Sequence, residues 1–136
     1  MKATAIGFVL CATFLGAHAQ DVTAWGKETR SAFAECSFVG TADMLMGTVT
    51  PDDISKSRAC AEEKIQGAKI GYQALPTQSK PAATTALKDY FAAWIGAMKS
   101  VPGLLAGSKR DKDSASQATK QRLEELWAHV EIEAGI

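Results

Sequence analysis

Apolar residues recur every three or four positions through most of the chain, which is the spacing of one face of an α-helix. No segment alternates apolar and polar residues with the β-branched and aromatic content that is typical of a strand. We therefore predict an all-α protein of four amphipathic helices, folded as an up-and-down four-helix bundle. A three-helix core with a loosely attached fourth helix is the alternative, because the link after Val101 is longer than the others.

The first predicted helix runs from about Val22 to Met46, since apolar and small residues keep a helical spacing over this segment. Gly26 and Gly40 lie inside it, and each costs up to about 1 kcal/mol against alanine in a helix interior. Tertiary packing therefore has to support this helix. Its predicted core face consists of Trp25, Thr29, Ala32, Cys36, Val39 and Met46, widened by Phe33, Phe38, Ala42 and Leu45.

The second predicted helix has the clearest start in the chain. Thr50 suits the N-cap, Pro51 suits the first helical position, and Asp53 stands where a capping box places its acidic partner. Pro76 ends the helix. Its predicted core face consists of Ile54, Ala61, Ile65, Ala68, Tyr72 and Leu75, while the line Cys60, Gly67 and Gly71 is small enough for another helix to come close.

The third predicted helix begins near Ser79 or Pro81 and ends at Val101, because Pro102 and Gly103 follow. It is the most apolar of the four and the best candidate for the core, with Ala83, Leu87, Tyr90, Trp94, Met98 and Val101 on one face. The segment from Pro102 to Ser116 is the nearest thing to a linker. We expect Leu104 and Leu105 in this segment to fold over an open end of the bundle.

The fourth predicted helix runs from about Ser114 to Ala134, where Gly135 suits the C-terminal cap and Ile136 its apolar contact. Lys120 and Glu124 are predicted to form a favourable i,i+4 ion pair on the solvent-exposed face of this helix. The predicted buried line consists of Ala115, Ala118, Arg122, Leu126 and Val130, with Leu123 and Trp127 beside it.

Two cysteines, Cys36 and Cys60, stand twelve residues on either side of Thr48, in the predicted hinge from Gly47 to Pro51. Both arms of an antiparallel helical hairpin rise equally per residue, so this symmetry places the two sulfur atoms at one level. We predict a disulfide that staples the first two helices. Two free buried thiols are the alternative.

The first nineteen residues resemble a cleavable signal peptide. Lys2 precedes the apolar run from Ile6 to Leu15, and Ala17-His18-Ala19 fits the cleavage pattern, so we expect a single helical domain at residues 20–136. A retained anchor or a buried N-terminal helix is the alternative. The expected location is the periplasm or the outside of the cell, where a disulfide persists, with no stable membrane anchor after cleavage.

Charge and the available side chains exclude several classes of function. The chain has a formal net charge of zero, which does not suit nucleic acid phosphates. His129 is the one histidine outside the signal, flanked at four residues by Glu125 and Glu133, and a solvated face is the more ordinary interpretation of that triplet. No methionine is expected at the level of His129 in the bundle, where it could serve as the second ligand of a haem. We predict no bound metal, no cofactor and no catalytic activity. An enzyme that uses His129 is the remote alternative.

The large aromatic residues are the predicted binding residues, in particular Trp25, Tyr90, Trp94 and Trp127. Trp25 lies near the start of the first helix and is expected to be partly exposed, and exposed aromatics often anchor interfaces. We expect a non-enzymatic binding protein that occludes another protein of the cell envelope, with a homodimer as a further option. The alternative is a carrier whose pocket is lined by Tyr90, Trp94, Met98 and Trp127.

In size, export and helix content, the chain is similar to small periplasmic helical proteins with one disulfide, a group that includes immunity proteins against secreted cell-wall enzymes. The resemblance implies an inhibitor or immunity role. It is a likeness of fold class only.

Overall fold

The computed structural model describes residues 21–38, 49–107 and 109–136, without the side chains of residues 109 and 110. The predicted signal peptide, its cleavage site and most of the predicted hinge lie outside these ranges. The described residues form four helices and no strand: α1 (Val22–Ser37), α2 (Pro51–Ala74), α3 (Pro81–Ala106) and α4 (Lys109–Ala134). The prediction of an all-α fold is confirmed for this part of the chain.

Contacts along α1 show the directions of the helices. Trp25 bonds to Ala68 and Cys36 to Cys60, so α1 and α2 run in opposite directions. On α4, Trp127 lies against Gly26, and Glu124 pairs with Arg30 further along, so α1 and α4 are also antiparallel. The third helix contacts all three others, whereas α2 and α4 do not touch within the described ranges. Within the described ranges, α1 is thus antiparallel to α2 and to α4, and α3 packs against all three other helices.

A disulfide joins Cys36 on α1 to Cys60 on α2, with their Cα atoms 5.6 Å apart. The predicted staple is therefore confirmed. Ser57, one turn before Cys60, donates a hydrogen bond to the carbonyl oxygen of Cys36 at 3.1 Å. Small residues at 57, 60 and 61 let the two backbones approach at this level. Gly67 does not contribute, because no atom lies within 4 Å of the position its Cβ would take.

Local chemistry decides the start of α2 as predicted. Thr50 is the N-cap and Asp53 completes a capping box, its carboxylate accepting from the backbone N–H of Thr50 at 2.8 Å and from its hydroxyl at 2.6 Å. These bonds hold the pKa of Asp53 below its ordinary value, the side-chain bond to Thr50 being the largest cause. Because the capping residues are neighbours in the sequence, the start of α2 could be predicted without knowing the tertiary structure.

The ends of two helices differ from the prediction. The first helix ends at Ser37, where the N–H of Phe38 bonds back to the carbonyl oxygens of Ala34 and Glu35. The predicted continuation to Met46 is thus wrong at this boundary, and residues 39–46 lie outside the described ranges. In the sequence, Gly40 stands three residues after Ser37, and glycine is enriched just past the ends of helices. The spacing of apolar residues alone could not show whether this glycine lies inside a helix or follows its end.

The third helix does not end at Val101 but continues through Pro102 to Ala106. Proline inside a helix costs about 3 kcal/mol because it lacks an N–H and crowds the preceding turn. Here Val101 and Leu105 are both buried at i,i+4 spacing, so burial of an extra turn offsets part of that cost. The predicted linker from Pro102 to Ser116 is therefore almost entirely helical.

The fourth helix begins at Lys109, five residues earlier than predicted, and ends at Ala134, where Gly135 adopts a φ of 75°. Its N–H bonds to the carbonyl oxygen of Glu131, which confirms the glycine cap. The first part of the predicted buried line is wrong, since Ala115, Ala118 and Arg122 are exposed, whereas Val130 is buried and Leu126 is half-buried, as predicted. The buried positions are Leu123, Trp127 and Val130, which dock the second half of α4 onto the core.

Within the described ranges, no helix combines the length and the apolar character needed to cross a membrane.

Candidate functional site

The four predicted binding residues do not form a surface. Trp25, Tyr90, Trp94 and Trp127 are each at most 1% exposed and belong to the central hydrophobic core. The expectation that Trp25 is partly exposed is wrong, because α2 and α3 cover it from both sides: its ring lies 5.6 Å from that of Tyr72 on α2 and 5.9 Å from that of Tyr90.

Two of the tryptophans are bound between helices by their indole N–H groups. Trp25 donates to the carbonyl oxygen of Ala68 on α2 at 3.1 Å, and Trp94 donates to that of Thr29 on α1 at 2.6 Å. A buried indole N–H needs a partner, and here the partner is a backbone carbonyl of another helix. These aromatics fix how α1 sits on its neighbours, so their structural role is plain.

Tyr90 lies at the centre of this core. Its hydroxyl is 2.8 Å from the hydroxyl of Thr29, and its ring meets the edge of Trp127 at 5.0 Å. Burial raises the pKa of Tyr90 to about 12, although the hydrogen bond with Thr29 acts in the opposite direction. A phenol with so high a pKa stays neutral in the physiological range.

Gly26 provides the close contact between α1 and α4. The ring of Trp127 lies directly over it, so that a Cβ at position 26 would overlap the ring. Arg30 covers the same ring with its guanidinium 5.1 Å from the centroid, and Trp127 donates to Glu131 at 2.6 Å. The sequence identified Gly26 only as a weak point of the helix, whereas the structure shows why a side chain is absent there.

One cleft of about 440 Å³ lies between α1 and α2, with Trp25 and Trp94 in its floor. Both floor side chains remain buried, so the cleft offers little aromatic surface to a ligand. Its charged lining consists of Glu28, Glu63 and Lys64. Lys64 is already 2.6 Å from Glu35, which lowers the pKa of that carboxyl group through a hydrogen bond and charge attraction. This cleft is a weak candidate for a binding site.

A second depression, of about 400 Å³, runs between α3 and α4 over small side chains such as Ala93, Gly96 and Ala118. Small residues alone leave a shallow surface with little to hold a partner. The predicted carrier pocket is also absent from these clefts, because Tyr90, Met98 and Trp127 line neither this depression nor the two other clefts described here.

The strongest candidate is a groove of about 540 Å³ at the end of the bundle where α1 ends and α4 begins. We call it the end groove. Its apolar lining comes from α1, from the residue that follows α1 and from α3, and comprises Phe33, Ala34, Phe38, Val101, Leu104 and Leu105. At this end α1 ends at Ser37, while α3 continues to Ala106.

Phe38 distinguishes this groove from the other clefts. It is 63% exposed, although most large apolar side chains among the described residues are buried or half-buried. It stands two residues after Cys36, whose disulfide and hydrogen bond to Ser57 hold the end of α1 in place. The prediction that Leu104 and Leu105 cover an end of the bundle was the one signal of this site in the sequence: Leu105 is buried and Leu104 is half-buried in the groove wall.

The charged side chains in the lining of the end groove all come from α4, namely Lys112, Asp113 and Lys120. The predicted pair of Lys120 with Glu124 is not formed. Glu124 instead pairs across the helices with Arg30 at 3.2 Å. Lys120 therefore faces the groove with its i,i+4 acidic neighbour engaged elsewhere, and basic groups outnumber acidic ones in the lining.

Glu125, His129 and Glu133 do not form the three-residue cluster that their spacing in the sequence suggested. His129 is exposed and lies 3.5 Å from Glu133, while Glu125 pairs with Arg122 at 3.7 Å. No group of three or more metal-ligating side chains occurs among the described residues. His129 thus has one carboxylate beside it and no enclosed site around it.

Comparisons with protein-family models, with curated proteins and with solved structures found no match for this chain.

Proposed function

We propose that this chain is a small exported, non-enzymatic binding protein and that the end groove is its binding surface. The observation that carries this proposal is Phe38, an exposed aromatic beside an apolar groove and held at the end of a stapled helix. Aromatic side chains are enriched among the residues that dominate interface energies. Pre-organisation by the disulfide lowers the ordering cost that binding would otherwise carry.

The first candidate partner is another protein of the cell envelope, which the chain would occlude in the manner of an inhibitor or immunity protein. The disulfide supports an oxidising compartment such as the periplasm. A signal peptide at residues 1–19 is part of this proposal. In this interpretation Phe38, rather than Trp25, anchors the partner, because Trp25 is sealed in the core.

Substitution of Phe38 tests this candidate with a matched control. Phe38→Ser and Ile70→Ser both remove a large exposed apolar side chain, but Ile70 lies on α2 and does not line the groove. We expect a partner from envelope extract, identified by mass spectrometry and re-tested as a purified protein, to lose at least tenfold in affinity with Phe38→Ser and to bind Ile70→Ser normally. Equal losses in both variants, or no partner at all, would count against this candidate.

The second candidate is a small hydrophobic ligand, and the volume of the end groove favours it. About 540 Å³ lies within the range of roughly 300–1,000 Å³ that ligand pockets occupy. Tryptophan emission is a poor probe of this site, since none of the three tryptophans lines it. Binding of the dye 8-anilinonaphthalene-1-sulfonate to the oxidised chain, and its weakening by Leu104→Asn, would support a carrier. No dye binding to the folded chain would remove this candidate.

A further inference from the structure

The end groove combines an apolar floor with a basic wall. Phe33, Val101 and Leu105 form part of the floor, and Lys112 and Lys120 stand on α4 at its side. From this combination we propose that the groove binds a free fatty acid, with the alkyl chain along the floor and the carboxylate against the lysines. The inference rests on the carrier candidate above and adds the class of ligand.

The geometry of α4 places the basic groups in one row. Lys112, Ser116 and Lys120 follow at i,i+4 spacing and so share a helix face, and all three line the groove. Asp113 is the acidic side chain in the lining, against two lysines. An anionic head group is therefore attracted and a cationic one is repelled, while Ser116 offers the carboxylate a hydroxyl donor.

The volume of the groove suits a single alkyl chain. Water takes up about 30 Å³ in the liquid and a methylene is of similar size, so about 540 Å³ holds roughly 15 to 18 such groups. That is enough for one chain of medium length with its head group, which is the size of a free fatty acid.

The other clefts lack this combination. The cleft between α1 and α2 is lined by Glu28, Glu63 and Lys64, with Lys64 engaged by Glu35. The depression between α3 and α4 is shallow and lined mostly by small side chains, and the charged residue in its lining, Arg122, is paired with Glu125 at 3.7 Å. Neither pairs a broad apolar floor with an excess of basic charge.

Isothermal titration calorimetry on the oxidised full chain tests the inference with three probes that share an alkyl chain. These are dodecanoate, dodecyltrimethylammonium and the shorter octanoate, each below its micelle concentration at pH 8. We expect dodecanoate to bind at least tenfold more tightly than dodecyltrimethylammonium. It should also bind at least tenfold more tightly than octanoate, because each buried methylene strengthens binding up to about fourfold.

Two charge-matched variants locate the head group. Lys112→Gln with Lys120→Gln removes two positive charges from the groove, and Lys88→Gln with Lys99→Gln removes two from exposed positions on α3. The first pair should weaken dodecanoate binding at least tenfold and abolish the preference for the anion. The second pair should leave both unchanged. Circular dichroism of both variants checks that the fold is retained.

The outcomes separate this inference from the proposal beneath it. If dodecanoate and dodecyltrimethylammonium bind equally well, the groove is a carrier site but selection of anions is refuted. If neither binds while the dependence of a protein partner on Phe38 holds, the carrier candidate fails and the protein candidate stands. Sedimentation with phosphatidylglycerol vesicles, in the absence of any dodecanoate binding, would overturn the free acid in favour of a lipid surface.

Discussion

Gly26→Ala is the sharpest test of how α1 and α4 pack. A methyl group at position 26 would overlap three atoms of the six-membered ring of Trp127. Ordinary contact between such atoms is about 3.4 Å or more, so the ring has to withdraw by more than 1 Å. Tyr90 and Glu131 hold that ring from other directions, and it is 1% exposed, so there is little space into which it can move.

The magnitude follows from two opposing effects. Forcing an extra methyl group into a packed core costs about 1–3 kcal/mol. Alanine in place of glycine in a helix returns up to about 1 kcal/mol. We therefore expect Gly26→Ala to lower the free energy of unfolding by about 2 kcal/mol. Gly67→Ala is the matched control on α2, where no atom would lie within 4 Å of the new Cβ. We expect it to raise the free energy of unfolding by about 0.5–1 kcal/mol.

Urea denaturation followed by far-ultraviolet circular dichroism, with the disulfide intact, measures both variants. The midpoint should fall for Gly26→Ala and rise for Gly67→Ala, without a change of slope. In a Trp127→Leu background the cost of Gly26→Ala should shrink to below about 0.5 kcal/mol, because the overlapping ring is gone. If Gly26→Ala is as stable as the parent chain, or costs the same with and without Trp127, the packing described here is refuted.

The remaining predictions concern the staple, the cap and the buried phenol. Replacing Cys36 and Cys60 together by serine should lower the free energy of unfolding by about 3 kcal/mol, given their sequence separation of 24; an unchanged urea midpoint would contradict the chain-entropy argument. Thr50→Ala should cost about 1 kcal/mol by calorimetry, since the N-cap bond is lost, and a loss below about 0.3 kcal/mol would show that Asp53 alone caps the helix. The folded-state pKa of Asp53 is lowered, so its contribution to the free energy of unfolding is present above the unfolded pKa near 4 and is lost as pH falls through the folded pKa. When urea midpoints are measured against pH, Asp53→Asn should reduce the fall of the midpoint in acid. Tyr90 has a raised folded-state pKa of about 12, so its contribution to the free energy of unfolding is complete below pH about 10 and is lost as pH rises toward 12. Burial also raises the pKa of Tyr72, so Tyr90→Phe is needed to assign the phenol that ultraviolet titration shows ionising near pH 12.

The parts of the fold that local chemistry decides were predictable from the sequence. Thr50, Pro51 and Asp53 start α2 because cap, proline and carboxylate act within one turn. The core face of α3 was also predictable, since its large apolar residues have a single helical face to share. The pairing of Cys36 with Cys60 was predicted correctly, because these are the two cysteines of residues 20–136. The argument from equal helical rise does not hold on the first arm, since α1 ends at Ser37.

The errors arose where the pattern was ambiguous. Alanines on α4 suit a buried or an exposed face equally, so Ala115 and Ala118 were placed inside when Leu123 and Trp127 carry the contact. A proline usually ends a helix, but Pro102 does not, because the turn that follows it buries Leu105. Whether a helix survives such a break depends on the neighbours that receive its next turn.

The sequence by itself determined that this chain is helical, where α2 begins, which face of α3 is apolar and which cysteines pair. Each of these depends on residues close along the chain or, for the disulfide, on the presence of two cysteines after the predicted signal peptide. The tertiary structure alone decided that the aromatic residues are sealed inside, that Gly26 receives Trp127, and that Phe38, Lys112 and Lys120 meet at one end of the bundle. The physical reason is that the exposure of a side chain, and the residues it meets, depend on how long the neighbouring helices are and how closely they approach. The periodicity of residues within one helix carries no information about this.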